Sequence, residues 1–358
     1  MTKDIIQIII IEDDKSLQDV YKDSIEEFNK ENSLYEIKCD ILDNDDKIPQ
    51  LLYDCHIDAI IVDLDWGTGS PQNEGNKLVK KIYEDCRIPI FIVSGNLQFL
   101  EKEYPESPIF RKYQRDEVLN DDLLKEIAQL YKTGYTNVLG NYSEIDNMLR
   151  KVFWDHMSNV INAWQDQEKN LQTQRMLRFA VTRINEMLNI STDDSHDDYD
   201  ALEFYIKPAI KERPFTGDII YYDDKKYVVI TAACDMEQDK SDFVVLCQID
   251  FDIFNDLKER IKNRSRSKKD EGELKKYINN AKARYHLLPP CELFIGGLID
   301  FQIIRSVSKD DFKEHASVIA SINPIFHKDI QARFSHYYGR QGQPQLNKDD
   351  IIEWIEAN

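Results

Sequence analysis

The sequence predicts an α/β protein: a doubly wound, five-stranded parallel sheet, then a long helical segment and a C-terminal α+β domain with a small barrel-like sheet. Apolar runs at residues 8–11, 59–62 and 90–93 each end in an acid or a hydroxyl. Strands that are buried on both faces of a parallel sheet read as such continuous apolar runs. Up to about residue 135 these runs alternate with helical spacing, as βαβ units do. After residue 142 the pattern becomes helical, and after residue 215 it becomes rich in strands.

The first 135 residues divide into five predicted strands and five predicted helices. The strands are predicted at residues 5–11, 35–42, 59–62, 90–93 and 108–113. Helical spacing of apolar residues follows the first strand at 17–28, and further helices are predicted at 48–53, 76–83 and 123–131. A Gly- and Pro-containing loop is predicted at 66–75. The interval between Ser94 and Lys112 is short, so the fourth helix is expected to be trimmed.

Residues 142–190 carry apolar side chains at helical spacing without an intervening Pro or Gly. This pattern predicts a helical hairpin or a pair of helices that joins two copies of the chain as a homodimer. The domains predicted are therefore residues 1–140, a helical linker at 141–192, and a β-rich domain at 193–358. Within the last of these, a hairpin is predicted at 217–231 and further strands at 243–249 and 293–304. A charged helical insertion is predicted at 253–283, with closing helices at 309–320, 325–337 and 348–356.

Composition excludes several classes of function. The net charge is −20, which argues against a nucleic-acid binder, because neutralising phosphates requires clustered Lys and Arg. No apolar stretch approaches the roughly 20 residues that span a bilayer, and the N-terminus leads directly into a strand, so no signal peptide is expected. The six cysteines are scattered. We expect a reduced, cytoplasmic protein.

The strand ends predict a site for a hard cation and a phosphoryl group. Ligands bind beyond the carboxyl ends of strands in open α/β sheets, so Glu12, Asp13, Asp63 and Ser94 should meet in one pocket. Mg²⁺ prefers oxygen ligands and usually takes one or two carboxylates together with phosphate oxygens. A carboxylate in such a site can attack a phosphoryl donor and become an acyl phosphate. A hydroxyl and a cation must then hold the phosphoryl oxygens.

These positions resemble the receiver domain of two-component response regulators over residues 5–135. The resemblance implies flavodoxin-like strand order, an acidic pair at Glu12 and Asp13, and a phospho-accepting Asp63 preceded by Asp58. It further implies that Asp65 offers its backbone carbonyl to Mg²⁺, that Ser94 orients the phosphoryl group, and that a histidine kinase is the donor. The pocket cation is expected at Lys112, with Arg111 as the alternative. This sequence departs from the family where Tyr113, rather than Pro, follows Lys112, and where the switch aromatic is replaced by Ile109 next to Phe110.

The C-terminal domain allows a second hypothesis. Cys234 with His286 as base and Asp300 as orienting acid would form a nucleophilic site if they met in the fold. A buried structural cysteine explains the same residues more simply, so we expect the chain not to be an enzyme in its own right. The alternative is an enzyme, nuclease-like or Cys-dependent, in the C-terminal domain that the receiver gates.

The whole chain also resembles the receiver-bearing proteins of bacterial anti-phage operons, and in particular the receiver partner of the Detocs two-component-like system. The resemblance rests on the order of domains and on the strings ITAACD, RYHLLPP and IDFQ. It implies a regulator or a phosphate sink in a defence pathway. The function predicted from the sequence is therefore a Mg²⁺-dependent phosphoprotein that takes a phosphoryl group on Asp63.

Overall fold

A computed structural model describes residues 3–43, 55–65, 71–158, 160–164, 169–188, 198–263, 267–342 and 344–357. The chain divides into two compact units, residues 1–194 (unit 1) and 195–358 (unit 2). The helical segment predicted as a separate linker is part of unit 1 in this division. The predicted helix at 48–53 and the first half of the predicted loop, at 66–70, lie outside the described residues. Within the described part of the chain, no helix has the length and apolar character needed to cross a membrane.

Unit 1 contains a five-stranded sheet in which all neighbouring strands are parallel, as predicted. The strands are β1 (Asp4–Ile11), β2 (Tyr35–Leu42), β3 (Ala59–Val62), β4 (Ile90–Ser94) and β5 (Phe110–Gln114). Their order is β2-β1-β3-β4-β5, which is the flavodoxin-like doubly wound order. The chain winds to one side of β1 to form β2 and to the other side to form β3, so the topological switch point lies between β1 and β3.

Helices cover both faces of this sheet, which explains why its central strands are apolar on both sides. The helices of unit 1 are α1 (Lys15–Glu31), α2 (Pro71–Asp85), α3 (Asn120–Lys132), α4 (Tyr135–Leu139), α5 (Glu144–Lys151) and α6 (Lys169–Leu188). Ile9 and Ile11 of β1 join a buried cluster with Val79 of α2. Ile8 and Ile10 join a second cluster with residues of α1 and α3 on the opposite face.

The loop after β3 is held against α2 by a close backbone approach. Helix α2 begins at Pro71, so the second half of the predicted loop is helical. A Cβ added to Gly75 would lie 2.7 Å from the Leu64 carbonyl oxygen and 2.8 Å from its Cα. Only glycine allows the helix to approach the loop this closely. The backbone that carries Asp63 and Asp65 is thereby fixed from one side.

The connection between β4 and β5 is a short 3₁₀ turn, Leu97–Phe99, in place of a full helix. This confirms the trimmed fourth helix. The buried side chain of Asn76 fastens the connection: its Nδ2 donates to the Phe99 carbonyl at 2.9 Å, and its Oδ1 accepts from the Glu101 N–H at 2.9 Å. Strand β5 runs from Phe110 to Gln114 rather than over the predicted 108–113.

The helical segment, predicted as a hairpin or a pair of helices, is divided into α5 and α6. Helix α5 passes into a π-helical turn, Val152–Met157, and a 3₁₀ turn follows at Ile161–Trp164. Helices α5 and α6 contact each other. A π-helical turn adds one residue per turn and so rotates the side chains that follow it.

Unit 2 is built on a seven-stranded sheet whose neighbouring strands are antiparallel. Its strands are β6 (Tyr205–Ile206), β7 (Asp218–Tyr222), β8 (Lys225–Val229), β9 (Phe243–Asp250), β10 (Tyr285–Leu288), β11 (Gly297–Ser308) and β12 (Ser317–Ile322). Its helices are α7 (Ala233–Glu237), α8 (Asp252–Asn263), α9 (Lys268–Ile278), α10 (Lys309–His315), α11 (Pro324–Gly339) and α12 (Lys348–Ala357). The strand order is β10-β11-β9-β8-β7-β12-β6.

The predicted β7–β8 hairpin is confirmed, and its turn residues Asp223 and Asp224 both have positive φ, as two-residue hairpin turns of type I′ require.

The predicted helix at 309–320 was wrong in its second half. Helix α10 ends at His315, and Ser317–Ile322 forms β12 between β7 and β6. Residues 317–322 include Val318 and two isoleucines, which favour strands. Strand β11 begins at Gly297, four residues later than the predicted start, and extends to Ser308.

At the amino edge of the unit 1 sheet, the carboxylate of Asp58 joins three segments of the chain. Asp58 is 2% exposed, and it accepts hydrogen bonds from the Gln7 N–H at 2.9 Å and from the Thr136 hydroxyl at 2.6 Å. His56 Nε2 lies 3.0 Å from Asp58 Oδ1. The hydrogen bond to Asp58 raises the pKa of His56, although burial opposes this. These contacts connect β1, β3 and α4.

We predict that the His56–Asp58 pair makes unit 1 more stable at low than at neutral pH. The pKa of His56 is higher in the folded state than its unfolded value of about 6.5. The pair therefore contributes its full stabilisation below pH of about 6.5, and this stabilisation is lost as the pH rises through the folded-state pKa. Relative to wild type, His56→Gln should lower the free energy of opening of β1 by about 1 kcal/mol at acidic pH and by less at alkaline pH. Hydrogen exchange of the β1 amides measures this difference.

The matched control is His336→Gln, which changes an exposed histidine of unit 2. It should leave the protection of β1 unchanged at every pH. If the free energy of opening of β1 differs between wild type and His56→Gln by the same amount at every pH, the prediction is contradicted.

Candidate functional site

The register of the central strands brings the first two acidic positions together. Ile11 of β1 pairs with Val62 of β3, so Glu12 and Asp63, which follow them, leave the sheet side by side. The Asp63 N–H donates to the Ile11 carbonyl at 3.0 Å. Both carboxylic residues are buried, with 2% of Glu12 and 6% of Asp63 exposed. They lie at the topological switch point, where open α/β sheets bind ligands.

Three carboxylates converge at this edge. Glu12, Asp13 and Asp63 each have one carboxylate oxygen that lies within 4.8 Å of an oxygen of the other two. Glu12 and Asp63 are buried and Asp13 is exposed, so the cluster is reachable from solvent on the Asp13 side. Converging carboxylate oxygens are the donor set that hard divalent cations prefer. The residues present therefore fit a hard divalent cation.

A guanidinium lies between two of these acids. Arg115 Nη2 is 2.8 Å from Asp63 Oδ2 and 3.0 Å from Glu12 Oε2. Burial lowers the pKa of Arg115, but attraction to Asp63 and Glu12 outweighs it and raises the pKa overall. Burial raises the pKa of Glu12, the neighbouring acids add to this increase, and the Asp14 N–H and Arg115 oppose it. The site thus holds more negative charge than one cation neutralises.

Ser94 lies at the end of β4 and is fully buried. Its hydroxyl donates to Asp65 Oδ2 at 3.3 Å, and Asn96 Nδ2 donates to the same oxygen at 2.9 Å. The Asp65 N–H in turn donates to Asp63 Oδ1 at 3.2 Å. Asp65 therefore links Ser94 to Asp63 through its side chain and its backbone N–H.

The two cations that the sequence suggested do not contact Asp63. Lys112 Nζ lies 3.5 Å from the Tyr104 carbonyl oxygen and 3.9 Å from Glu106. Arg111 Nε pairs with Glu126 at 2.8 Å. Neighbouring residues of a strand point to opposite faces, and both faces of β5 at this level are covered by other side chains. The cation at Asp63 is Arg115, one residue beyond the strand.

Arg115 and Asn96 were missed by the sequence analysis. A signal for Arg115 existed, because it is the first basic residue after β5 ends at Gln114, and the predicted strand stopped one residue earlier, at Tyr113. Asn96 follows Ser94-Gly95 directly in the sequence. Its contact with Asp65 depends on how the β4 and β3 loops meet, which one-dimensional spacing does not specify.

The hypothetical site in unit 2 is not assembled. Asp300 is fully buried and makes a bidentate pair with Arg284, at 2.9 Å and 2.5 Å. His286 contacts Arg333 through Nδ1, and the exposed Cys234 has its contact with Asp235. Within the described residues, none of these three side chains bonds to another. The catalytic role of Cys234, His286 and Asp300 therefore stays a prediction, while the expected burial of Cys234 was wrong because Cys234 is exposed.

No sequence-family description matches this chain, and no curated protein does. Solved structures do resemble it in part. A response regulator receiver protein from Sinorhizobium medicae WSM419 is 15% identical, with 36% of this chain and 95% of that one covered and a TM-score of 0.27. A response regulator receiver domain protein from Methanospirillum hungatei JF-1 is 15% identical, with 36% and 99% covered and a TM-score of 0.24.

A third similar structure is a response regulator protein from Burkholderia pseudomallei with a phosphorylated aspartic acid, calcium ion and citrate. It is 13% identical, with 52% of this chain and 93% of that one covered and a TM-score of 0.25. Because these scores are low, the fold assignment rests on the strand order itself. Unit 1 has the flavodoxin-like, doubly wound fold. Its parallel sheet, strand order and flanking helices are those of the doubly wound arrangement.

We predict that Arg115→Gln lowers the stability of unit 1 and makes it depend on Mg²⁺. Removing the guanidinium leaves Glu12 and Asp63 facing each other without compensation, which should cost about 1–3 kcal/mol of unfolding free energy. A divalent cation relieves the repulsion between such acids. Mg²⁺ should therefore restore more unfolding free energy to this variant than it adds to wild type, as measured by urea denaturation with and without the ion.

Arg111→Gln is the control. It also removes one positive charge, but the pair that it breaks is with Glu126, outside the carboxylate cluster. Its response to Mg²⁺ should equal that of wild type. Equal responses in all three proteins would contradict the assignment of Arg115 as the cation of this cluster.

Proposed function

We propose that this protein is a phospho-accepting receiver protein of a bacterial two-component pathway, with Asp63 as the acceptor. The observation that supports this most directly is the convergence of Glu12, Asp13 and Asp63 at the switch point, with Arg115 2.8 Å from Asp63. A carboxylate nucleophile, an oxygen donor set and a cation in one pocket are the components that acyl-phosphate formation needs. The donor is proposed to be a histidine kinase, and the compartment the cytoplasm.

In the proposed reaction an Asp63 carboxylate oxygen forms a bond to phosphorus. The bond between phosphorus and the imidazole nitrogen of the donor breaks, its electron pair stays on that nitrogen, and the nitrogen takes a proton from solvent. Asp63 is held for this attack at both oxygens, by the Asp65 N–H at Oδ1 and by Arg115 at Oδ2. Fixed orientation of this kind supplies much of the acceleration of phosphoryl transfer.

Glu12 and Asp13 are proposed to hold Mg²⁺ together with Asp63 and the backbone carbonyl of Asp65. A bound Mg²⁺ would supply positive charge beside the phosphoryl oxygens. The raised pKa of Glu12 fits this proposal, because a carboxylate that lacks sufficient compensation gains most from an added cation.

Two donors are positioned to change partners after phosphorylation. Arg115 has several N–H groups and can move from Glu12 and Asp63 to phosphoryl oxygens, which are stronger acceptors. The Ser94 hydroxyl can exchange Asp65 for a phosphoryl oxygen, which would leave Asp65 with Asn96 alone. Such exchanges of partner are how added phosphate biases a two-state surface. Lys112 would enter this pocket only if its side chain left Tyr104 and Glu106.

The output is proposed to be regulation or phosphate removal in anti-phage defence, with unit 2 as the partner-binding module. This proposal rests on the domain order and short strings noted in the sequence. The alternative, a nuclease-like or Cys-dependent enzyme in unit 2 that the receiver gates, stays a prediction; Asp300 pairs with Arg284 and His286 contacts Arg333.

We predict that the protein gains one phosphoryl group when incubated with acetyl phosphate and Mg²⁺, and that Asp63→Asn prevents the gain because an amide cannot form the acyl phosphate. Intact-protein mass spectrometry measures the gain. Asp14→Asn is the matched control, since it removes a carboxylate from the same loop and Asn also serves as the α1 N-cap. Its mass gain should match wild type. No gain in wild type, or an equal gain in the Asp63 variant, would refute the proposal.

We further propose that the helical segment joins two copies of the chain. Its described side chains include exposed aromatic and aliphatic groups, among them Phe153 (63% exposed), Trp154 (67%) and Leu177 (65%). Apolar side chains that are exposed together commonly mark interaction surfaces. Phe153 and Trp154 also pack edge to face, with ring centroids 5.0 Å apart.

We predict that wild type sediments as a dimer and that the double substitution Phe153→Ser and Trp154→Ser yields monomer, because both apolar rings are removed from the contact. Analytical ultracentrifugation measures the mass. The control is Ile210→Ser, which removes an exposed apolar side chain from unit 2 and should leave the dimer intact. A dimer that persists in the double variant would rule out this segment as the interface.

A further inference from the structure

Unit 2 contains a cavity of about 540 Å³ whose lining takes no part in the proposed phosphoryl transfer. Its volume lies in the range of sites that hold small organic molecules. The walls are apolar, with phenylalanines from the 3₁₀ turn Ala201–Phe204, from α8 and from α11, and with leucine, isoleucine and proline side chains between them. Phe204 and Phe326 stack with ring centroids 4.6 Å apart, which gives the cavity a rigid aromatic side.

One buried polar group of the wall is a hydrogen-bond donor. His286 is 6% exposed. Arg333 contacts its Nδ1, and because a guanidinium can only donate, Nδ1 must be the accepting nitrogen. Burial, together with the charge of Arg333, lowers the pKa of His286 to about 3, so the ring is neutral at physiological pH. Its proton therefore lies on Nε2, so this nitrogen of His286 can donate a hydrogen bond.

The other polar groups nearby also favour an acceptor. Asn280 uses its Oδ1 to accept from Arg333, which leaves its NH₂ group as a donor. Lys258 and Lys262 are one turn apart on α8 and both line the cavity. Among the described residues, neither has a carboxylate within ion-pair distance. The acids of the wall are Asp200, which caps the 3₁₀ turn through Leu202 N–H, and Asp329, whose Oδ2 lies 3.8 Å from His286 Nδ1.

We infer that this cavity binds an amphiphilic organic anion, with its apolar body between the phenylalanines and its carboxylate near Lys258 and Lys262. An apolar enclosure with few convergent polar groups is the usual form of a ligand site. Asp200 is already occupied as a cap and Asp329 lies near His286 Nδ1. The two lysines are therefore the charged groups left to meet a ligand, which favours an anion over a cation of the same size. The site would give unit 2 a ligand-responsive role independent of Asp63.

The test uses three probes with the same ten-carbon chain: decanoate, decanol and decylamine, each below its critical micelle concentration. Isothermal titration calorimetry with the full chain should show binding of decanoate, weaker binding of decanol and the weakest binding of decylamine. Equal affinity for all three, or tightest binding of decylamine, would overturn the anion assignment. Absence of binding by every probe would overturn the site.

Two variants separate charge from volume. The double substitution Lys258→Ala and Lys262→Ala should weaken decanoate binding about tenfold, as the loss of two exposed ion pairs predicts, and should leave decanol unchanged. Ile261→Trp should abolish binding of every probe by filling the cavity. The charge-matched control, Lys275→Ala with Lys276→Ala, alters two exposed residues of α9 and should bind decanoate as wild type does. Decanoate affinity that survives Ile261→Trp, in a variant whose circular dichroism is native, would place the ligand elsewhere.

Discussion

The organisation of unit 1 depends on an electrostatic imbalance at the carboxyl edge of its sheet. Two buried acids, Glu12 and Asp63, and the exposed Asp13 share one guanidinium, that of Arg115. Charges of like sign at this distance repel strongly when they are withdrawn from water. The fold holds them together because the strands that carry them are packed on both faces, and this stored repulsion is what a divalent cation or a cationic donor can relieve.

The surrounding loops serve to keep this arrangement fixed. Gly75 lets α2 approach the Leu64 backbone, and Asn76 fastens the short β4–β5 connection. Asp65 links Asp63 with Ser94 and Asn96. At the opposite edge of the sheet, Asp58 has its charge satisfied by hydrogen bonds. The two edges therefore differ in charge balance: hydrogen bonds satisfy Asp58 at the amino edge, whereas three carboxylates converge at the carboxyl edge.

In unit 2, arginine side chains contact buried charged and polar groups directly. Asp300 is paired with Arg284, and Arg333 contacts both His286 and Asn280. Paired in this way, these groups hold strands and helices in position, and breaking a buried pair would leave an uncompensated charge. Unit 2 also contains the apolar cavity beside His286, which Lys258 and Lys262 line. Ligand binding is therefore the property of this unit that its structure favours.

The amino-acid sequence was enough to predict the parallel sheet, its five strands, the acids at the ends of β1 and β3, and Ser94 at the end of β4. Apolar runs and the residues that end them are recognisable in short stretches of sequence, and parallel strands place their carboxyl ends at the same edge of the sheet. It could not determine that Arg115, rather than Lys112 or Arg111, reaches Asp63, because which side of β5 a side chain occupies depends on packing against Tyr104 and Glu126. It also could not show that Cys234, His286 and Asp300 have separate partners, or that Ser317–Ile322 inserts as a strand. Only the tertiary structure decided these points, because each depends on contacts between segments far apart in the chain.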